Sequence, residues 1–238
     1  MNAIETKQLT KCFGAVTAVD ALDLTVREGE LFALLGVNGA GKTTTIKMLS
    51  GLLKPTDGTA RLLGRDLDSE LSAIKPLLAV SPQETAIAPN LTVRENLELI
   101  AGIYGSVPER VRQMIDELGL QEAVTFKAKS LSGGWQRRLS IAMALVSDPK
   151  LLFLDEPTLG LDVLARRELW KVIEGLKGKV TVILTTHYME EAEQLSDRVG
   201  VMNKGRLIMT GTPRELMDAA GTDDFEEAFV RLAGGETA

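Results

Sequence analysis

Apolar residues along the chain follow two periods, and the switch between them outlines the architecture. Leu31-Phe32-Ala33-Leu34-Leu35 and Leu151-Leu152-Phe153-Leu154 are unbroken runs, and Val180 to Thr185 reads as a third buried strand, as expected of parallel strands buried on both faces. Residues 4–9 and 21–26 alternate apolar and polar, which predicts half-buried strands. Thr59 to Leu63 and Leu77 to Val80 add further strands, and Val199 to Met202 with Arg206 to Met209 flank an Asn203-Lys204-Gly205 turn as a hairpin would. Thr43 to Leu53 has helical spacing, with Ile46, Leu49 and Leu53 on one face. From about 84 to 148 the period turns helical throughout: Leu91 to Tyr104, Pro108 to Leu118 and Ser132 to Ser147, the last with Trp135, Leu139, Ala142, Met143 and Val146 as its buried stripe. Helices are also expected over Val163 to Leu176, Pro213 to Ala220 and Asp224 to Leu232. Strand-rich flanks around an all-helical stretch predict an α/β domain over 2–232. Its core would be 1–83 and 149–212, its inserted helical subdomain about 84–148, and 213–238 a C-terminal helical tail.

Composition narrows the classes without choosing among them. A chain of 238 residues, 45% apolar and 25% charged, has the balance of a globular protein with room for a core. The net charge of −6 argues against a protein that coats nucleic acid, and no nucleic-acid partner is expected. Cys12 is the sole cysteine and His187 the sole histidine, so neither an intrachain disulfide nor a structural zinc site is expected. Met1 to Glu5 lacks a basic flank leading into an apolar core, so a signal peptide is not expected. No apolar run nears the ~20 residues that cross a bilayer, which leads to the expectation of a cytoplasmic protein attached to a membrane only through a partner.

Gly36-Val37-Asn38-Gly39-Ala40-Gly41-Lys42-Thr43 fits G-x-x-x-x-G-K-[ST], the phosphate-binding P-loop. A strand that ends in glycines and opens a helix aims backbone N–H groups and the positive helix end at one point, which favours a triphosphate. Lys42 would meet the β- and γ-phosphates, and the Thr43 hydroxyl would ligate Mg²⁺. Four further signals follow in order. Gln83 leaves a strand; Leu131-Ser132-Gly133-Gly134 opens a helix, with Ser132 as its expected N-cap. Asp155-Glu156 follows the second buried strand, and His187 the third, at the sheet edge where open parallel sheets bind ligands. Asp155 reads as the acidic partner of the metal. Adjacent strand residues point to opposite sides, so one carboxylate would hold the metal while the other faces an attacking water. Phe13, beside Gly14 in the first connection, offers a ring for a base, although a lone aromatic there is more often a packing residue.

This order and spacing resemble the ATP-binding subunit of ABC transporters, from about residue 2 to about residue 232. The Leu-Ser-Gly-Gly signature between P-loop and Asp-Glu is not a general P-loop trait, so the resemblance is specific. It implies a P-loop NTPase (ABC ATPase) core with a parallel sheet, an N-terminal antiparallel β subdomain and an inserted α-helical subdomain. It also implies roles. Phe13 would stack on adenine; Gly36, Val37, Asn38, Gly39, Ala40, Gly41, Lys42, Thr43 and Thr44 would hold the phosphates of ATP. Gln83 would sense Mg²⁺ and the γ-phosphate, Asp155 would hold the metal with Thr43, Glu156 would be the general base and His187 the switch histidine. Ser132, Gly133 and Gly134 would complete the site of another subunit, in a head-to-tail homodimer or a pair with a homologous ATPase. Leu159-Gly160-Leu161-Asp162 matches the loop that links the two sites. His187-Tyr188-Met189-Glu190-Glu191-Ala192-Glu193 looks most like the drug- and lipid-export branch, whose integral-membrane permeases are separate chains, which would place the protein on the inner face of the cell membrane. The groove near Gln83 to Pro89 would be the docking surface. Trp135 stands at the fifth signature position, where many members carry Gln. The alternative is a soluble ABC-type ATPase acting on a non-transport partner; such relatives generally carry two nucleotide domains, coiled coils or zinc inserts, which this sequence lacks.

Overall fold

The computed structural model describes residues 1–234; the last four residues expected in the C-terminal tail lie outside it. The chain opens with β1 (Asn2–Phe13), β2 (Val16–Leu22) and β3 (Thr25–Arg27), then β4 (Leu31–Leu35) and α1 (Lys42–Leu49). Next come β5 (Asp57–Leu62), β6 (Arg65–Asp66), α2 (Leu71–Ile74) and β7 (Leu78–Ser81). Helices α3 (Val93–Tyr104), α4 (Pro108–Glu117) and α5 (Gly133–Leu145) follow with no strand between them. The chain returns through β8 (Leu151–Asp155), α6 (Val163–Glu174), β9 (Thr181–Thr186), α7 (Met189–Leu195), β10 (Arg198–Asn203) and β11 (Arg206–Gly211). It closes with α8 (Pro213–Ala220) and α9 (Phe225–Ala233).

Two sheets result. The N-terminal one runs β2-β1-β5-β6, with β3 also on β1, and all its pairings are antiparallel. The larger runs β11-β10-β4-β9-β8-β7 and is parallel except for the β11 edge. Every residue of β4, β8 and β9 is buried, which is why their sequences are mostly apolar, with Asp155 closing β8 and three threonines in β9.

The larger sheet divides two interiors. Leu31, Ala33 and Leu35 of β4, with Leu152, Leu154, Val182 and Leu184, pack into the interior that includes α3, α4 and α5. The alternate residues Phe32 and Leu34, with Leu151, Phe153 and Ile183, pack with Ile46, Met48 and Leu49 of α1 and with Ile4, Leu9, Val26 and Leu62 of the N-terminal sheet. The period-2 pleat sends neighbours to opposite faces.

Two departures from the sequence reading have local causes. Residues 21–26 are not one strand. Ala21 has φ +48, the Asp23 carboxylate accepts from both Gln8 N and Gln8 Nε2, and the Thr6 hydroxyl donates to Leu22 O while accepting from Leu24 N. These bonds take the ladder's place between β2 and β3, yet Leu22, Leu24 and Val26 stay buried, so the alternation recorded burial rather than pairing. The first helix stops at Leu49 instead of Leu53 because Gly51 turns left-handed at φ +70, a conformation that ends helices. Phe13 ends β1 instead of lying in a connection, and α7 had no counterpart among the expected helices.

Candidate functional site

Four adjacent parallel strands deliver the candidate residues to one rim. The P-loop leaves the carboxyl end of β4, Glu156 that of β8, His187 that of β9 and Gln83 that of β7. Asn38, Gly39, Ala40, Gly41, Lys42, Thr43 and Thr44 line a cavity of about 550 Å³ together with Gln83, Glu156 and His187. Ala18 and Leu159 also line it; Ala18 lies in the N-terminal sheet, and nothing in its own neighbourhood of the sequence marked it.

The loop's glycines are fixed by close approach. A Cβ on Gly41, which sits at φ +102, would come within 2.5 Å of the Ala18 carbonyl oxygen. One on Gly36 would lie 2.5 Å from the Met202 carbonyl oxygen. The cradle is thus pressed between β2 and β10 with no room for a side chain at either point. Gly41 caps α1 with no side-chain hydrogen bond, which leaves first-turn N–H groups for an anion.

Buried Lys42 donates from Nζ to Gly36 O at 2.6 Å and to Val37 O at 3.3 Å, and pairs with Glu156 Oε1 at 3.2 Å. Glu156 Oε2 in turn hydrogen-bonds His187 Nδ1 at 2.7 Å. Lysine, glutamate and histidine therefore form one chain of contacts across the cavity. Glu156 itself has φ +49, a left-handed backbone that costs a non-glycine residue roughly 1–2 kcal/mol. Its N–H is held by Thr185 O and Thr185 Oγ1. Asp155 ends β8 and turns away: its Oδ1 accepts from Thr43 Oγ1 at 3.0 Å and Thr185 Oγ1 at 2.6 Å. The two carboxylates do diverge, but through this backbone turn and not through strand alternation.

Thr43 lines the cavity and Asp155 bonds it from behind, so two hard oxygen donors lie side by side, the donor chemistry Mg²⁺ prefers. Among the described residues no group of three or more His, Cys, Asp or Glu side chains is arranged to hold a metal alone, so any metal here would share its coordination with phosphate and water.

Other expected residues lie elsewhere. Phe13 is exposed at the end of β1, with Lys11 Nζ 5.3 Å from its ring centre. Ser132 and Gly133 are exposed and, with Gly134, lie off the cavity. Ser132 is the N-cap of α5 by position, yet its hydroxyl makes no capping bond. Asp162 caps α6, its Oδ1 accepting from Leu164 N and Ala165 N.

Behind the rim lies a polar cluster whose members had no individual role in the sequence motifs. Arg166 sits 4.4 Å from the Tyr188 ring, which tilts against the His187 ring at 4.2 Å. Glu191 is fully buried, with Trp170 Nε1 donating to its Oε1 at 3.1 Å. Burial pushes its carboxyl above the ordinary glutamate range, against the opposing pull of Thr186, Thr158 and Trp170. Arg137 is buried as well, and burial lowers its guanidinium while Asp155 and Glu191 pull it back up.

Comparison with known proteins matches this arrangement to one family. A family model described as "ABC transporter" matches residues 19–159. Over 97% of its length the chain is 42% identical to the probable multidrug ABC transporter ATP-binding protein YbhF of Escherichia coli (strain K12), and it spans 42% of that protein. It is 43% identical to the daunorubicin/doxorubicin resistance ATP-binding protein DrrA of Streptomyces peucetius, over 93% of this chain and 69% of that one. Among solved structures, the dimeric ATP-binding cassette MJ0796, in a post-hydrolysis state bound to ADP and Pi, superposes with a TM-score of 0.77 and 27% identity, covering 88% of this chain and 98% of that one.

Proposed function

The chain belongs to the ABC transporter family as an ATP-binding domain, and from that premise we propose that it hydrolyses ATP to drive export through a separate membrane permease. The observation that carries the reading is the Lys42–Glu156–His187 chain of contacts inside a glycine-lined cavity.

The cavity admits the polyphosphate end of ATP, with the backbone of Gly39 to Thr44 around it and Phe13 at the outer edge for the base. Thr43 and Asp155 would hold Mg²⁺, which when bound neutralises charge on the phosphoryl oxygens. An incoming phosphate competes with Glu156 for Lys42 Nζ. Its arrival releases Glu156 Oε1 and leaves that carboxylate paired with His187 alone, oriented to take a proton from the attacking water. His187 keeps Glu156 aimed, and Gln83 reaches the cavity from the β7 side.

The site is completed by a second copy. Ser132 and Gly133 are exposed, and the Ser132 hydroxyl is not spent on its own helix, so the tip of α5 is open to the γ-phosphate held by a head-to-tail partner. Two positive helix ends would then clasp one anion. The dimer of MJ0796 with ADP and Pi supports this pairing by analogy.

Export rests on the drug-resistance relatives. A groove of about 150 Å³ lined by Val80, Pro82, Ala86, Ile100, Tyr104 and Met143, with Ile103 exposed nearby, suits an apolar segment of the permease. Among the described residues no helix is long and apolar enough to cross a membrane, so that groove would hold the protein at the inner membrane face.

Glu156→Gln tests the reading. ATP affinity is expected to persist while turnover falls by about 10³, with ATP-dependent dimers accumulating in size-exclusion chromatography. Turnover near wild type would remove Glu156 from the role of base.

A further inference from the structure

Helix α5 is fastened to the chain leaving β7 by three hydrogen bonds, two of them from a buried charge. Arg137 donates from Nη1 to Pro82 O and from Nη2 to Gln83 O, both at 2.6 Å. Three residues on, Ser140 Oγ and Ser81 Oγ share a buried hydrogen bond of 2.9 Å. Residues three apart lie on one helix face, so a single face of α5 grips Ser81, Pro82 and Gln83 in succession. Gln83 lines the phosphate cavity, while Pro82 lines the apolar groove. One turn before Arg137, the same helix begins at Ser132–Gly134.

A guanidinium kept out of water is costly unless its donors are used. Packing alone would be served by Met or Leu. What Arg supplies is a planar fork that fixes two consecutive carbonyls at once, which a lysine ammonium cannot do. These two carbonyls belong to the peptide planes on either side of the Gln83 Cα, so fixing them sets the direction in which the Gln83 side chain leaves the backbone.

We propose that Arg137 is a positioning residue for Gln83: its fork sets where the Gln83 side chain hangs over the cavity and ties that side chain to the tip of α5. The inference rests on the reading of Gln83 given above.

The test is a double-mutant cycle of Arg137→Met and Gln83→Ala, read by the Mg²⁺ concentration for half-maximal ATP turnover and by amide exchange over residues 81–90 in the nucleotide-free chain. Arg137→Met is expected to raise the Mg²⁺ requirement about tenfold, as loss of a supporting bond does at metal sites. Metal-free ATP affinity should stay within about twofold, the Gln83 and Glu84 amides should exchange faster, and Arg137→Met should add nothing in the Gln83→Ala background. A merely structural Arg137 would lower the melting temperature and leave the Mg²⁺ requirement unchanged. That result, or effects of the two substitutions that multiply, overturns the proposal. A silent Gln83→Ala would instead overturn the underlying reading of Gln83, and the positioning role with it. Should Arg137→Met fail to fold, Arg137→Lys keeps the charge without the fork; it is expected to shift the Mg²⁺ requirement in the same direction, and an unchanged requirement counts against the proposal.

Discussion

Helices α3 and α5 both begin at a hydroxyl-bearing residue, Thr92 and Ser132, and treat it in opposite ways. Thr92 accepts from Glu95 N while Glu95 reaches back to Thr92 N, a closed capping box. One residue further, buried Asn96 donates to Ala88 O, Leu91 O and Thr92 O and accepts from Ala88 N. Around α3 the polar groups close on one another. At the tip of α5 the hydroxyl stays open: Ser132 caps nothing, although further along the same helix Arg137 and Ser140 are hydrogen-bonded. A closed cap holds a helix start in shape; an open one leaves its hydroxyl available to another partner.

The comparison is broken most directly at Ser132. Ser132→Ala removes no cap bond, so its unfolding free energy should lie within about 0.5 kcal/mol of wild type, while turnover drops by about 10²–10³ if the hydroxyl donates to a partner's phosphate. Denaturant melts and steady-state ATPase assays separate the two. Normal turnover would make the open cap an idle one. Thr92→Ala is expected to behave in reverse, costing about 1 kcal/mol of stability and leaving turnover unchanged. An ATPase defect without a stability defect would remove the contrast.

Glu191 gives the smallest effect and the sharpest sign. Its carboxyl is raised in the folded chain, chiefly by burial. Between the unfolded value of about 4.3 and the folded value, the native state binds more protons than the unfolded one. Wild-type stability therefore falls as pH rises through that interval. Glu191→Gln removes this dependence, so its stability relative to wild type should climb with pH from about 4.3 upward. Parallel curves for the two proteins would show that the buried carboxyl does not titrate in that interval.

Much of this was legible in the chain, for identifiable reasons. Buried parallel strands print as short, mostly apolar runs, so β4, β8 and β9 announced themselves, and with them the rim where Asn38 to Thr44, Glu156 and His187 gather. The spacing of glycines and lysine in the P-loop is local geometry, and local geometry survives in sequence. What stayed hidden is long-range or conformational. Arg137 meets Gln83 across more than fifty positions, and Ala18 reaches the cavity only because Gly41 presses against its carbonyl. The left-handed backbone of Glu156 leaves no mark, since the residue type argues against it. The gap between β2 and β3 was misread because alternation reports which way side chains face, not whether strands are bonded.

The larger sheet has an oily room on each side, and alternate residues of each strand furnish different rooms. Repacking in one room therefore does not pass to the other as a chain of jostled side chains. What crosses is displacement of the wall itself, tilted or slid as one piece. The phosphate cavity sits along that wall's carboxyl rim, where any tilt widens or narrows the mouth.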